Sequence, residues 1–187
     1  RIMDSGTYLE RDRWRMTNHR FWLMFLMALT LGGPLWGLIE SPGEFNEARD
    51  RVKELEGEER ARLLLDLVEY QLVDRDYAQC GEYLASARKL LTPMETPGLW
   101  ARLIMYRSRI RLDRGEHVKS LEMAENARLH AEKSGDIEIK ARVLRLFGNI
   151  FMLSRDYDKA LDYFEQAIEL ARRQDNERLM AMILNST

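Results

Sequence analysis

An arginine recurs every 40 residues along the chain, at Arg62, Arg102 and Arg142, each directly after an alanine. The planar guanidinium group of arginine can hold a carboxylate through two parallel hydrogen bonds. These three residues could therefore capture the carboxylates of an acidic ligand. Two other interpretations stay open at this point: ion pairs with acidic residues of neighbouring helices, and plain solvation at the surface.

Residues that usually carry covalent or metal chemistry are few, since the chain has three histidines and one cysteine. They show no metal-ligand spacing with a convincing set of partners, and the chain has neither a P-loop nor a G-x-G-x-x-G stretch. His117 takes a place that is tyrosine 40 residues earlier and later, and Cys80 takes a place that is otherwise small, so both are assigned to packing. We therefore predict no cofactor, no metal site and no enzyme activity within this chain.

The arginine period belongs to a longer repeat. The stretch Ala61-Arg62-Leu63-Leu64 returns in similar form at residues 101–104, 141–144 and 181–184. A fixed period of this length is typical of proteins built from stacked structural repeats. The predicted repeats are residues 57–96, 97–136 and 137–176, with a partial fourth repeat over 177–187.

Each repeat is predicted to be a pair of helices. In the third repeat, apolar residues at helical spacing indicate helices over about 137–153 and 156–172, with Asp156 as the N-cap of the second. A leading helix over 41–56, which starts at Ser41-Pro42 and stops at Gly57, is expected to cover the end of the first repeat.

The third repeat resembles a tetratricopeptide repeat. Its residues fit the family's W-x2-L-G-x2-Y and A-x3-F stretches through Leu144, Phe147, Gly148 and Phe151, and through Ala160 and Phe164. The first two repeats depart from the pattern, with Val68 and Ser108 at the glycine position and Arg107 beside the latter. Arg172 replaces the family's usual proline, and the period of 40 exceeds the family's usual length of about 34 residues.

The resemblance implies an all-α, right-handed solenoid of stacked helix-turn-helix repeats, in which the first helices line a concave groove. It further implies a non-catalytic scaffold that binds a protein or peptide there, and the arginines favour an acidic peptide or a C-terminal carboxylate. Replacing Arg102 and Arg142 with Ala is expected to weaken partner capture without unfolding the chain. The groove residues that the resemblance implies are Arg62, Arg102, Arg109, Arg142, Arg145 and Asn149.

Residues 21–39 form an uncharged run that, as a helix, would be roughly 28 Å long, close to the apolar thickness of a bilayer. Gly32-Gly33-Pro34 interrupts the run, so a cleaved signal peptide and a retained membrane anchor stay open, with a buried core helix as a third option. Arginines precede the run within the basic segment 1–20, and glutamates follow it. This asymmetry predicts a cytoplasmic N-terminus and exported repeats.

Two expectations concern the ends of the chain. Met16 lies shortly before the apolar run, where an initiator methionine would be expected, so residues 1–15 are hypothesised not to be native. At the other end, the repeats are expected to continue beyond Thr187. The alternative function is therefore the extracytoplasmic sensor region of a histidine kinase or nucleotide cyclase, with its catalytic domain beyond residue 187. The net charge of −2 gives no general attraction to nucleic acid, so none is expected as a partner.

Overall fold

The computed structural model describes Ile39 and residues 41–184. This part of the chain is helical throughout and contains no strand. The basic segment and nearly all of the run 21–39 lie outside the described residues. No helix among those described is both long enough and apolar enough to cross a bilayer. The helices are α1 (Pro42–Arg51), α2 (Gly57–Asp74), α3 (Tyr77–Leu91), α4 (Pro97–Asp113), α5 (His117–Ser134), α6 (Ile137–Leu153), α7 (Tyr157–Arg173) and α8 (Glu177–Leu184).

Three helical hairpins follow one another along the chain: α2 with α3, α4 with α5, and α6 with α7. The first helices of successive hairpins touch, α2 against α4 and α4 against α6, whereas the second helices α3, α5 and α7 do not touch one another within residues 41–184. The first helices thus make a continuous inner layer, and the second helices make an outer layer. The predicted all-α repeat solenoid is confirmed.

Local sequence signals explain where the second helices of the first and third hairpins begin. The side chains of Asp76 and Asp156 accept hydrogen bonds from the backbone N–H groups of Gln79 and Lys159, which are free at a helix N-terminus. One residue earlier, the chain turns through a left-handed conformation in every hairpin. The left-handed residues are Arg75, Gly115 and Arg155, spaced by 40, with φ of 58°, 76° and 63°.

The leading helix is shorter than predicted. It begins at Pro42, and the side chains of Ser41 and Glu44 each accept a hydrogen bond from the other residue's backbone N–H group. It ends at Arg51 rather than at residue 56. Two turn hydrogen bonds after Arg51 redirect the chain, and Gly57, with φ of +55°, opens α2 instead of closing α1. Phe45 of α1 stacks on Tyr70 of α2, with ring centroids 4.9 Å apart.

The two helices of each hairpin cross at one column of positions. In the third hairpin, a Cβ atom on Gly148 would lie 2.5 Å from a ring carbon of Phe164, so glycine is what lets α7 approach α6. In the second hairpin the same column holds Ser108, whose hydroxyl donates to the carbonyl of Ser120 at 2.7 Å. Each crossing is buried, and the buried apolar residues form two clusters, one from Val52 to Ile150 and one that includes Phe164 of α7 and Ile183 of α8.

Candidate partner-binding surface

The inner layer carries a cluster of charged and polar side chains, which we call the inner polar cluster: Asp66 and Glu69 of α2, Arg102 and Tyr106 of α4, and Arg142 of α6. Arg102 Nη2 donates to Asp66 Oδ1 at 2.6 Å. The two oxygens of Glu69 accept from Tyr106 Oη and from Arg142 Nη1, each at 2.7 Å. One carboxylate of the first repeat is therefore tied to both of the following repeats.

Most of the cluster is shielded from solvent. The side chains of Asp66, Arg142 and Arg102 are 6%, 10% and 14% exposed, and that of Glu69 is 25% exposed. Burial by itself would raise the pKa of Glu69, but Arg142, Arg102 and the Tyr106 hydroxyl outweigh it and hold the pKa below its ordinary value. The charged and polar groups of the cluster thus satisfy one another.

Two of the six predicted groove residues, Arg102 and Arg142, belong to this cluster. Both pair with acidic residues of a neighbouring first helix, one of the interpretations that the sequence left open. Arg62, at the same place in the first repeat, pairs with Glu58 on its own helix at 2.6 Å and is more exposed. Of the three recurring arginines, two therefore lie in buried ion pairs between repeats, and the third does not.

The other three predicted residues lie one or two helical turns further along the inner layer. Arg109 Nε donates to Asp113 Oδ1 at 3.0 Å, and its side chain is 40% exposed. Asn149 is half-buried on α6. Burial, with repulsion from Arg142 and Arg109, lowers the pKa of Arg145 to about 10.

The sequence did not single out Asp66 or Tyr106, and the resemblance implies Glu69 only as a position facing the groove, not as a partner of the arginines. Asp66 has a signal in hindsight, because it is the only charge in the apolar stretch Leu63 to Val68, where a buried carboxylate requires a cationic partner. Glu69 and Tyr106 have no such signal, because the residues 40 positions before and after each of them are of other types.

No group of three or more His, Cys, Asp or Glu side chains among the described residues could hold a metal ion. Burial, and the nearby Asp76, raise the pKa of the Cys80 thiol to about 11. A thiol with so high a pKa stays protonated at neutral pH and is a poor nucleophile. Its sulfur lies 3.9 Å from the carbonyl oxygen of Val68, at the helix crossing of the first hairpin.

Residues 101–173 match the family model of the tetratricopeptide repeat. The match runs from α4 to α7 and thus covers the second and third hairpins. It supports a tetratricopeptide repeat protein and points to a non-catalytic, protein-interaction scaffold. No curated protein matches the chain. The six predicted residues all lie on the first helices of the hairpins, which form the inner layer.

Proposed function

We propose that the chain is a long-period tetratricopeptide scaffold that binds an acidic peptide segment of a partner protein along the inner layer of α2, α4 and α6. The observation that carries the proposal is the contiguity of this layer: the first helices pack side by side and offer one surface across three repeats. Binding there is non-covalent and needs no cofactor.

Within that surface, the contact residues are proposed to be Arg109, Arg145 and Asn149. Arg102 and Arg142 are already held by carboxylates at 2.6 and 2.7 Å, so a ligand would have to compete with buried partners for them. Arg109 is more exposed, and Arg145 lies where two other guanidinium groups repel it. An incoming carboxylate would relieve that repulsion and gain charge-assisted hydrogen bonds.

The proposal is tested by selecting short random-sequence peptides that bind the chain and measuring their affinity by calorimetry. We expect the selected peptides to be rich in Asp and Glu. The double variant Arg109→Gln, Asn149→Ala should weaken their binding about tenfold or more, because each lost charge-assisted contact contributes roughly 1.4 kcal/mol or more.

The matched control is Arg172→Gln with Arg173→Gln on α7, where both side chains are exposed and pair with Glu169. This variant removes positive charge from the outer layer and should leave the affinity unchanged. Selection of neutral or basic peptides, or equal weakening by the two double variants, would exclude an acid-binding inner surface.

We also propose that the repeats act outside the cytoplasm, either as an exported scaffold or as the sensor region of a membrane signalling enzyme. The support is the uncharged run 21–39, with arginines before it and glutamates after it. A reporter enzyme that works only after export, fused behind the repeats, should be active. An inactive but intact fusion would refute export.

A further inference from the structure

A groove of about 510 Å³ lies between α3 and α4, on the side of the hairpins away from the inner polar cluster. Its size is within the range of ordinary small-molecule sites, about 300–1,000 Å³. Leu84 of α3 and Ile110 of α4 form its apolar part, and both are buried. We call it the outer basic groove because of the side chains around it.

Five cationic side chains line the outer basic groove, and none of the described residues that line it is acidic. Arg111 is held by Glu116 at 2.9 Å, and Arg114 lies over the Tyr77 ring at 5.8 Å. The remaining three, which belong to both walls of the groove, are exposed and take part in no ion pair within the described chain. They are Arg88 and Lys89 on α3 and Arg107 on α4.

The equivalent positions in the third hairpin show that the cationic side chains of this groove are not a general feature of the repeat. Forty residues on, the places of Arg107 and Arg111 are taken by Phe147 and Phe151, which stack on Tyr163 with ring centroids 5.0 and 5.4 Å away. Packing of apolar rings is thus replaced by two cations in the second hairpin. Arg111 keeps an ion pair with Glu116, but Arg107 is exposed and has no ion pair within the described chain, so its charge adds little to stability.

The wall of the groove that α3 forms also differs from the equivalent surface one repeat later. Arg128, the equivalent of Arg88, is paired with Glu125 and Glu132 at 2.9 and 2.6 Å. The equivalent surface between the second and third hairpins is therefore neutralised, whereas the outer basic groove is left with an excess of positive charge on a chain whose net charge is −2.

We propose that the outer basic groove is a second binding site, which takes a compact anion carrying several phosphate groups. Arginine forks on facing walls suit phosphate oxygens, and a half-enclosed groove with converging cations concentrates a multiply charged anion. The ligand is compact because the groove has a volume of only about 510 Å³. This site shares α4 with the inner layer but uses other side chains of that helix, and it does not depend on the function proposed above.

Calorimetric titration with tripolyphosphate tests the proposal on the whole chain. We expect saturable binding with one ligand per chain, and citrate and a single-stranded DNA oligomer should bind more weakly. The double variant Arg88→Gln, Arg107→Gln should weaken tripolyphosphate binding about tenfold or more. Both side chains are exposed, so the variant should keep the thermal unfolding transition of the parent chain.

The control is Arg128→Gln, which changes the equivalent position one repeat later and should leave binding unchanged. Absence of binding to the parent chain at millimolar tripolyphosphate would overturn the proposal. So would equal weakening by the two variants, citrate binding as tight as that of tripolyphosphate, or tighter binding of the DNA oligomer.

Discussion

At the scale of single residues, the recurring arginines are more deeply involved in the fold than in an open groove. Arg102 is surrounded by Asp66, Glu69 and Tyr106, and its side chain is mostly buried. A buried ion pair is weak evidence for net stabilisation, but removing one partner leaves the other charge uncompensated in a poorly solvated place. The earlier expectation that Arg102 could be replaced without affecting folding therefore needs a stability measurement.

Arg102→Met should lower the free energy of unfolding by about 3 kcal/mol, because Asp66 would keep a buried charge without its cation. Urea unfolding followed by circular dichroism measures this change. Arg173→Met, which breaks a solvent-exposed pair with Glu169, should cost less than about 1 kcal/mol. Equal costs for the two variants would mean that the Asp66–Arg102 pair is not shielded as described.

At the scale of helices and hairpins, the sequence predicted most of what is observed. The third-repeat helices were expected over 137–153 and 156–172, and they span Ile137–Leu153 and Tyr157–Arg173. Apolar spacing and the Asp156 cap were sufficient for this, because both are local signals. The end of α1 was missed since Gly57 was interpreted as a helix stop, although its left-handed backbone begins the next helix.

The left-handed turn inside each hairpin was also hidden from the sequence. Only Gly115 gives the residue type that favours such a conformation, whereas the equivalent places hold Arg75 and Arg155. At these places the repeat position, imposed by the neighbouring packed columns, decides the conformation over the local residue preference.

The helix crossing of the third hairpin gives a prediction at this scale. Gly148→Ala should destabilise the chain by about 1–3 kcal/mol, because the new methyl group would overlap the Phe164 ring and force α6 and α7 apart. Chemical unfolding measures the cost. Gly81→Ala on α3 is the control: a Cβ there meets no other atom within 4 Å, so the change should stabilise the helix by about 0.5–1 kcal/mol.

If Gly148→Ala proved as stable as the parent chain, the two helices would not be in the close contact described. A double variant, Gly148→Ala with Phe164→Leu, separates the causes. It should recover part of the lost stability if the ring is the obstacle, and none if the glycine matters only for backbone flexibility.

At the scale of the whole molecule, the period of 40 was enough to predict the three hairpins of the described residues, whereas the expectation that the first helices line a groove came from the tetratricopeptide resemblance. The period could not predict the bonds between repeats, because Glu69 and Arg142 are 73 positions apart and no periodic column joins them. Nor could it predict the outer basic groove, which depends on the packing of Arg88, Arg107 and their neighbours across two hairpins. A repeat pattern compares equivalent positions along the chain. It therefore does not indicate which side chains of different repeats come into contact.

The central claim is that the stacked first helices receive a partner. Hydrogen exchange of the chain with and without a selected acidic peptide tests it most directly, since bound helices open less often and their amides exchange more slowly. We predict slower exchange in α4 and α6, around Arg109 and Asn149, and no change in α3, α5 and α7. Slower exchange confined to those outer helices, with the inner layer unaffected, would contradict the account.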